Sequence, residues 1–240
     1  MIDVRGSVRT SLALAAAAAL MTAAPGSAAA PGQAQVSIGS AYNIDCIAPA
    51  HLNEVDGDCD NGFQSYVDGS GMPAAGRFVA RGIAFTFPSR GLRTNNAIAP
   101  TGQRVVLPGR KGYHFLLALM SAVNAGSGKR GGTMIVTYSD GSTAKVPLAA
   151  DDWATHPNNA VVTTDGQGTY AQPGAPVFAL TVHMFIESIA VNPTKVPVAL
   201  TLPGIAGNVL GGDSPSNGLR IFAMTLSSTP PTAAGGPVFH

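Results

Sequence analysis

Residues 133–148 read Thr133-Met-Ile-Val-Thr-Tyr138, Ser139-Asp140-Gly141-Ser142 and Thr143-Ala-Lys-Val-Pro-Leu148. Side chains of the first run alternate between two faces, which is the period of a β-strand. Asp-Gly supplies the positive φ that a tight hairpin turn requires. The segment therefore predicts a β-hairpin. Its second strand ends, or lies at a sheet edge, at Pro147, which has no N–H to donate to a ladder.

Short apolar runs cut by Gly, Pro, Asn and Asp continue on both sides of this hairpin. Strands are predicted at 35–39, 82–87, 103–107, 113–121, 133–138, 143–148, 177–182, 184–191, 196–202 and 219–226. No helical period is sustained outside residues 1–30, and no long internal repeat occurs. The sequence therefore predicts an all-β fold, a single antiparallel β-sandwich over residues 35–228, with a flexible tail at 229–240.

The composition favours the same fold class and narrows the function. Gly 29 and Pro 18 make up about a fifth of the 240 residues, which indicates many turns. With 45% hydrophobic and only 11% charged residues, disorder driven by charge is excluded. A formal net charge of +1 provides no basic excess, so no nucleic-acid partner is expected.

Residues 1–30 have the pattern of a secretory signal peptide. Arg5 and Arg9 precede an apolar stretch over 12–24, and Pro25 and small residues follow. An uncleaved signal anchor is the alternative, but the stretch is shorter than the about 20 residues that span a bilayer, so no transmembrane helix is expected. We therefore predict a secreted protein, extracellular or associated with the cell envelope.

Cys46 and Cys59 are the two cysteines of the chain and lie 13 positions apart. In an oxidising compartment they are predicted to form a disulfide, which in the chain-entropy model stabilises a loop of this size by about 3 kcal/mol. A redox or metal pair is the alternative, although the spacing is not CxxC.

Acidic residues are concentrated within this cysteine loop and just after it. Glu54, Asp56, Asp58 and Asp60 offer closely spaced carboxylates, and Ca²⁺ prefers about six to eight oxygen ligands. The loop is therefore a candidate Ca²⁺ site, with a solvated acidic loop as the alternative. It departs from an EF-hand loop, because its glycine comes one position late and Val67 stands where the bidentate Glu would be.

Basic residues follow in a long segment without acids. Nine lysines and arginines lie between Asp68 and Asp140: Arg77, Arg81, Arg90, Arg93, Arg104, Arg110, Lys111, Lys129 and Arg130. If they converge in space they could contact an anionic polymer or a phosphorylated glycan, and otherwise they are separate solubilising groups.

A family resemblance adds to these patterns. The fragments that carry it are, in order, 41–43, 82–88, 136–143, 151–153, 192–195, 200–203 and 219–226. Together they resemble the galactose-binding-like β-sandwich modules of secreted actinobacterial glycosidases and related cell-surface proteins. The resemblance covers about 35–228. It implies a sandwich fold and suggests a carbohydrate-binding role, although such modules usually accompany a catalytic domain.

A sugar site normally combines an aromatic face with orienting polar groups. The predicted ligand-binding residues are Trp153, Asp152, Tyr113 and Tyr170. Trp153 is the only tryptophan of the chain, and its alternative role is to fill the core. Catalysis is not expected, because the adjacent carboxylates of Asp151 and Asp152 would point to opposite faces of an extended chain.

The function predicted from the sequence is thus a secreted, non-catalytic module that binds a glycan or a cell-envelope polymer and is stabilised by Ca²⁺ if the acidic loop holds it. A structural or protein-interaction sandwich without a sugar site is the first alternative. A small glycan-acting hydrolase is the second.

Overall fold

The computed structural model describes residues 32–49, 59, 64–68, 71–123, 125, 128–155, 157–169, 177–204 and 218–233. Over these residues the chain forms β-strands and two 3₁₀ turns, at 39–41 and 157–159, so the all-β prediction is confirmed. The strands are β1 (Gln33–Val36), β2 (Ile47–Ala48), β3 (Gln64–Val67), β4 (Gly76–Ala80), β5 (Ile83–Phe87), β6 (Arg104–Val106), β7 (Phe115–Ala122), β8 (Lys129–Tyr138), β9 (Thr143–Asp151), β10 (Val162–Thr169), β11 (Val177–Ala190), β12 (Pro197–Thr201) and β13 (Leu219–Ser227).

The strands form three sheets. A seven-stranded sheet has the order β1-β13-β7-β11-β10-β3-β2, a four-stranded sheet has the order β6-β12-β8-β9, and β4 pairs with β5 alone. Among the strand pairs of the described residues, β2 with β3 is the parallel one and the rest are antiparallel. This arrangement is consistent with the predicted sandwich.

The hairpin at 133–148 forms as predicted. Thr137 pairs with Thr143, and Gly141 takes a φ of 81° in the turn between β8 and β9. The Asp140 carboxylate accepts a hydrogen bond of 2.9 Å from the Ser142 backbone N–H, which fixes the turn locally. Strand β9 is at the edge of its sheet, as Pro147 indicated.

The first hydrophobic core lies between the four-stranded sheet and one face of the seven-stranded sheet. Alternate residues of β8, Met134, Val136 and Tyr138, point into this core. They meet alternate residues of β7 such as Leu116 and Met120. The opposite parity of β8 therefore faces away from the core, which leaves an outward-facing side on the smaller sheet.

A second core lies on the other face of the seven-stranded sheet. Leu117, Leu119 and Phe222 face this core from β7 and β13, and Phe85 and Phe87 of the β4–β5 hairpin cover them. Every residue of β13 is buried. Central strands buried on both faces read as continuous apolar runs rather than as alternating ones, and β7 (FLLALMSA) has this composition.

Some strands differ from the prediction. The predicted strands at 177–182 and 184–191 are one strand, β11, because His183 continues the ladder opposite Thr163. Strands β2, β3, β4 and β10 were not predicted, since β2 has only two residues and the polar and glycine residues of the other three lack an apolar pattern. Strand β10 nevertheless has a place in the sheet because its backbone pairs with β11 on one side and with β3 on the other.

The chain ends add little to the described fold. Residues 1–30, the predicted signal peptide, lie outside the described residues. Of the predicted tail, residues 229–233 are described, and the Thr232 N–H donates a hydrogen bond of 3.0 Å to the Arg81 carbonyl. The described part of the chain contains no helix with the length and apolarity needed to cross a membrane.

Candidate functional site

The outward-facing side of the four-stranded sheet is the candidate site, and we call it the outer face. It is formed by side chains of opposite parity to those in the first core. They are Arg104, Val106, Thr133, Ile135, Thr137, Thr143, Lys145, Pro147 and Thr201. All nine are exposed or half-buried, whereas Ala199 of β12, which has the same parity, is fully buried. Val106 is 67% exposed, the most of any large apolar side chain in the described residues. The outer face is thus a largely uncovered β-sheet surface.

Cross-strand pairing arranges these side chains in rows. One row runs from Arg104 of β6 through Thr201 and Ile135 to Lys145 of β9. The neighbouring row runs from Val106 to Thr143 across all four strands. Neighbouring strands lie about 4.8 Å apart, so each row extends for about 14 Å. The rows present hydroxyl, small apolar and cationic groups at regular intervals.

One end of the outer face is held by a hydrogen-bonded turn. Lys195 Nζ lies 2.9 Å from the Asp140 carboxylate, donates to Ser142 Oγ at 2.6 Å and lies 5.6 Å from the centroid of the Tyr138 ring. Hydrogen bonds from Ser142 and the Lys195 charge hold the pKa of Asp140 well below its usual range. The carboxylate is therefore ionised and paired within the protein.

A second polar cluster joins the two sheets where β9 approaches β11. Lys129 Nζ donates to Glu187 Oε1 at 2.7 Å and lies 3.7 Å from Asp151 Oδ2. Burial raises the pKa of Glu187, and Lys129 offsets part of this effect. Burial alone would lower the pKa of Lys129, but both carboxylates raise it. The lysine therefore serves both carboxylates as a counter-ion across the sheet junction.

Asp151 and Asp152 do not converge. Asp151 pairs with Lys129, whereas Asp152 accepts backbone N–H bonds from Ala125 at 2.7 Å and from Ala154 at 2.9 Å. Asp152 is 5% exposed, and these two hydrogen bonds fix the local chain. The two adjacent carboxylates thus contact different groups, as the strand geometry predicted.

Trp153 lies in the second core and is 3% exposed. Its ring makes an edge contact with Tyr66, with 5.2 Å between the ring centroids. Its backbone N–H donates to the Ala122 carbonyl, and its carbonyl accepts from the His183 N–H. This placement matches the core alternative, because a stacking platform needs an exposed ring face.

The other predicted ligand-binding residues do not gather around Trp153. Tyr113 is 4% exposed and lies in the first core, with the Arg110 guanidinium 6.0 Å from its ring centroid. Tyr170 lies outside the described residues, as do Glu54, Asp56, Asp58 and Asp60. Apart from Phe178, whose side chain is not described, no Trp, Tyr or Phe side chain of the described residues is exposed. This part of the protein therefore offers no aromatic platform for a sugar.

The Cys46–Cys59 disulfide is present, and both cysteines are fully buried in the second core. Arg220 of β13 is 1% exposed and donates from Nε to the Cys59 carbonyl at 2.8 Å. A guanidinium in this position ties the disulfide to the most buried strand of the large sheet. A disulfide is compatible with an extracellular protein.

The nine basic residues between Asp68 and Asp140 do not form one patch with a common role. Arg90 is paired with Asp68, Arg81 donates to the Asn159 carbonyl at 2.9 Å, and Lys129 belongs to the sheet junction. Arg77 and Arg93 lie on β4 and in the loop after β5. Of this set, Arg104 lies on the outer face, and Arg110 and Lys111 lie in the loop that follows β6.

The described residues show no metal centre. No three of their His, Cys, Asp and Glu side chains gather in a group that could hold an ion. His183, which shares strand parity with Glu187, instead lies 3.0 Å from Thr163 Oγ1 through its Nδ1 atom. Burial lowers the pKa of His183, so its ring is neutral near pH 7.

The sequence interpretation missed the outer face. The hairpin sequence contained the pattern that predicts this face. Residues 133, 135 and 137 must share one face and pair with 147, 145 and 143. The ligand-binding prediction chose Trp153 and Tyr113 for their aromatic rings, but both side chains lie in the hydrophobic cores.

The chain matches no model of a known protein family, and no curated protein matches it in sequence. The resemblance to galactose-binding-like modules therefore stays a prediction.

Proposed function

We propose that the protein is a secreted, non-catalytic β-sandwich domain that binds a glycan or another cell-envelope polymer on the outer face. The observation that carries the proposal is the uncovered sheet surface with its two cross-strand rows. An extended polymer can lie along such rows and contact four strands at once. Secretion is supported by the pattern of residues 1–30 and is compatible with the disulfide.

The side chains of the two rows favour binding through hydrogen bonds and apolar contacts, without the stacking of an aromatic ring on a sugar. Thr133, Thr137, Thr143 and Thr201 offer hydroxyl groups that donate and accept hydrogen bonds. Ile135 and Val106 offer apolar contact for the carbon-bound faces of sugar rings. These contacts are small individually, so affinity for a polymer depends on contacts repeated along its length.

A pull-down with insoluble cell-envelope polysaccharide tests the proposal. We expect the purified protein to bind, and Thr133→Gln/Thr137→Gln to bind several-fold less, because the longer side chains stand above the rows. Thr181→Gln is the matched control, since Thr181 is an exposed strand residue on the larger sheet. Unfolding midpoints of all variants show whether the changes act on binding alone.

The alternatives give different outcomes. If the protein binds no envelope polymer, the proposal is wrong and a structural or protein-interaction role takes its place. Release of soluble sugars from the polymer during incubation would instead support the hydrolase alternative. For that role the Asp151 and Glu187 carboxylates are the first residues to substitute, although Lys129 pairs with both.

Ca²⁺ binding by Glu54, Asp56, Asp58 and Asp60 is a separate part of the proposal. An ion bound to the folded state stabilises it by mass action, so the melting temperature is expected to rise with added Ca²⁺ and to fall with EDTA. Asp56→Asn/Asp58→Asn is expected to remove the difference. Equal melting temperatures with Ca²⁺ and EDTA in the unchanged protein would favour a solvated acidic loop.

A further inference from the structure

Four exposed cations lie on the outer face and in the loop that follows β6. Arg104 and Lys145 are exposed at opposite ends of one row. Arg110 and Lys111 are exposed in the loop that follows β6. None of these four residues forms an ion pair with any other residue that the structure describes.

Acidic side chains near the outer face are each paired already. Asp140, in the β8–β9 turn, is bound by Lys195 at 2.9 Å. Asp151, at the end of β9, pairs with Lys129 of the same hairpin. The net charge of this surface is therefore positive, although the chain as a whole is close to neutral.

The loop with Arg110 and Lys111 is held against the sheet. The Leu107 N–H donates to the Val198 carbonyl, and the Gly112 N–H donates to the Pro193 carbonyl, both at 2.9 Å. These bonds keep the loop beside β12 and the segment that leads into it. Arg110 and Lys111 thus lie next to the edge of the outer face that β6 forms.

The side chains between the cations indicate what kind of anion fits. Thr201 and Ile135 separate Arg104 from Lys145 over about 14 Å, three strand spacings. This gap suits a ligand that offers hydrogen-bonding and apolar groups as well as acidic ones. Sugar rings have this character because they carry hydroxyl and C–H groups beside their carboxylates, whereas a chain of phosphates would place only charged groups over Ile135.

We infer that the polymer bound by the outer face is an acidic polysaccharide, with Arg104, Arg110, Lys111 and Lys145 contacting its carboxylates. The inference rests on the proposed function and adds the chemical class of the ligand and the residues that select it. Guanidinium groups bind carboxylates through paired hydrogen bonds, and lysines act as point charges.

Binding to polygalacturonate and to its methyl ester tests the inference, because the ester keeps the sugar chain but has no charge. We expect the full chain to bind polygalacturonate at least about tenfold more tightly than the ester, and to lose most of this preference between about 50 and about 500 mM NaCl, where charges are screened. Polyphosphate, an anion without sugar rings, is expected to bind more weakly than polygalacturonate.

The matched variants are Arg104→Glu/Lys145→Glu on the outer face and Arg77→Glu/Arg93→Glu elsewhere. All four residues are exposed, and both variants change the net charge by the same amount. We expect the first to lower affinity for polygalacturonate at least about tenfold and the second less than about twofold, because only the first removes local contacts.

Several results would overturn the inference. Equal binding of polygalacturonate and its ester would leave the proposed function intact but show that charge does not select the polymer. Equal losses in the two variants would mean that net charge, rather than the outer face, is responsible. Equal or tighter binding of polyphosphate would contradict the polysaccharide assignment. Failure to bind any envelope polymer would instead remove the proposed function itself.

Discussion

Arg220 is the largest fully buried side chain of the described residues. It donates to the carbonyls of Cys59 and Leu219, at 2.8 and 3.0 Å. A buried guanidinium is tolerated only where such acceptors are placed around it.

Arg220→Met is expected to lower the free energy of unfolding by about 2–4 kcal/mol, because it leaves buried carbonyl groups without their donor. Arg220→Lys should not restore stability, since an ammonium group cannot reproduce the planar fork. Urea unfolding measures both changes. The exposed Arg104→Met is the control, and an equally small loss in all three variants would contradict this role.

His183 gives the fold a dependence on pH. Its folded-state pKa is lowered by burial from 6.5, so the unfolded chain takes up a proton at a higher pH than the folded protein. Stability from the neutral ring is present above pH 6.5 and is lost as the pH falls below that value through the folded-state pKa.

His183→Gln is therefore expected to reduce the decrease in unfolding free energy between pH 7 and pH 5. Chemical denaturation at a series of pH values measures this slope. His114→Gln, which changes an exposed histidine just before β7, is the control for the loss of a histidine. A slope that is the same in all three proteins would show that His183 is not the group responsible.

At the scale of elements, the β4–β5 hairpin forms a third layer. Phe85 is fully buried, and the Ala84 carbonyl accepts a hydrogen bond of 2.6 Å from Thr225 Oγ1 of β13. The Gln33 side chain of β1 holds the hairpin through two hydrogen bonds. Its Oε1 accepts from the Ala84 N–H at 3.0 Å, and its Nε2 donates to the Gly82 carbonyl at 2.8 Å. The hairpin is thus fixed to the sheet by both packing and hydrogen bonds.

Phe85→Ala is expected to destabilise the protein by about 3–5 kcal/mol, the usual cost of a cavity left by a buried phenylalanine. Val79→Ala on the same hairpin should cost less than about 0.5 kcal/mol, because Val79 is 46% exposed. Thermal or urea unfolding compares the two. Similar small losses would mean that the hairpin does not cover a core.

These elements show how far the sequence predicts the structure. The β8–β9 hairpin was predictable because alternation, Asp-Gly and Pro147 all agree on one local structure. Strand β10 was not, since Thr163, Asp165 and Gly166 carry no apolar period and are held by neighbouring strands. The burial of Trp153 depends on Tyr66 and on the second core, which are contacts distant in the chain.

At the scale of the whole molecule, the disulfide links a segment near the start of the fold to its interior. Cys46 and Cys59 are both fully buried. Cys46→Ala/Cys59→Ala is therefore expected to lower the free energy of unfolding by at least about 3 kcal/mol, through the freer unfolded chain and the lost packing. Unfolding without reductant measures the change.

Adding a reductant to the unchanged protein serves as the control for this variant and should lower stability in the same direction. If the double variant were as stable as the unchanged protein, the bridge would contribute nothing to the folded state. The melting temperatures with Ca²⁺ and with EDTA can be compared in this variant as well, because the acidic residues lie in the same loop.

Pairing of the first strand with the last has a consequence for how the protein reaches its folded state. Strand β13 lies between β1 and β7, so β1 has no neighbour in the large sheet and β7 stays at a sheet edge until β13 is present. Folds dominated by such distant pairings form slowly. A chain synthesised from its N-terminus therefore completes this sheet only after β13 has been made.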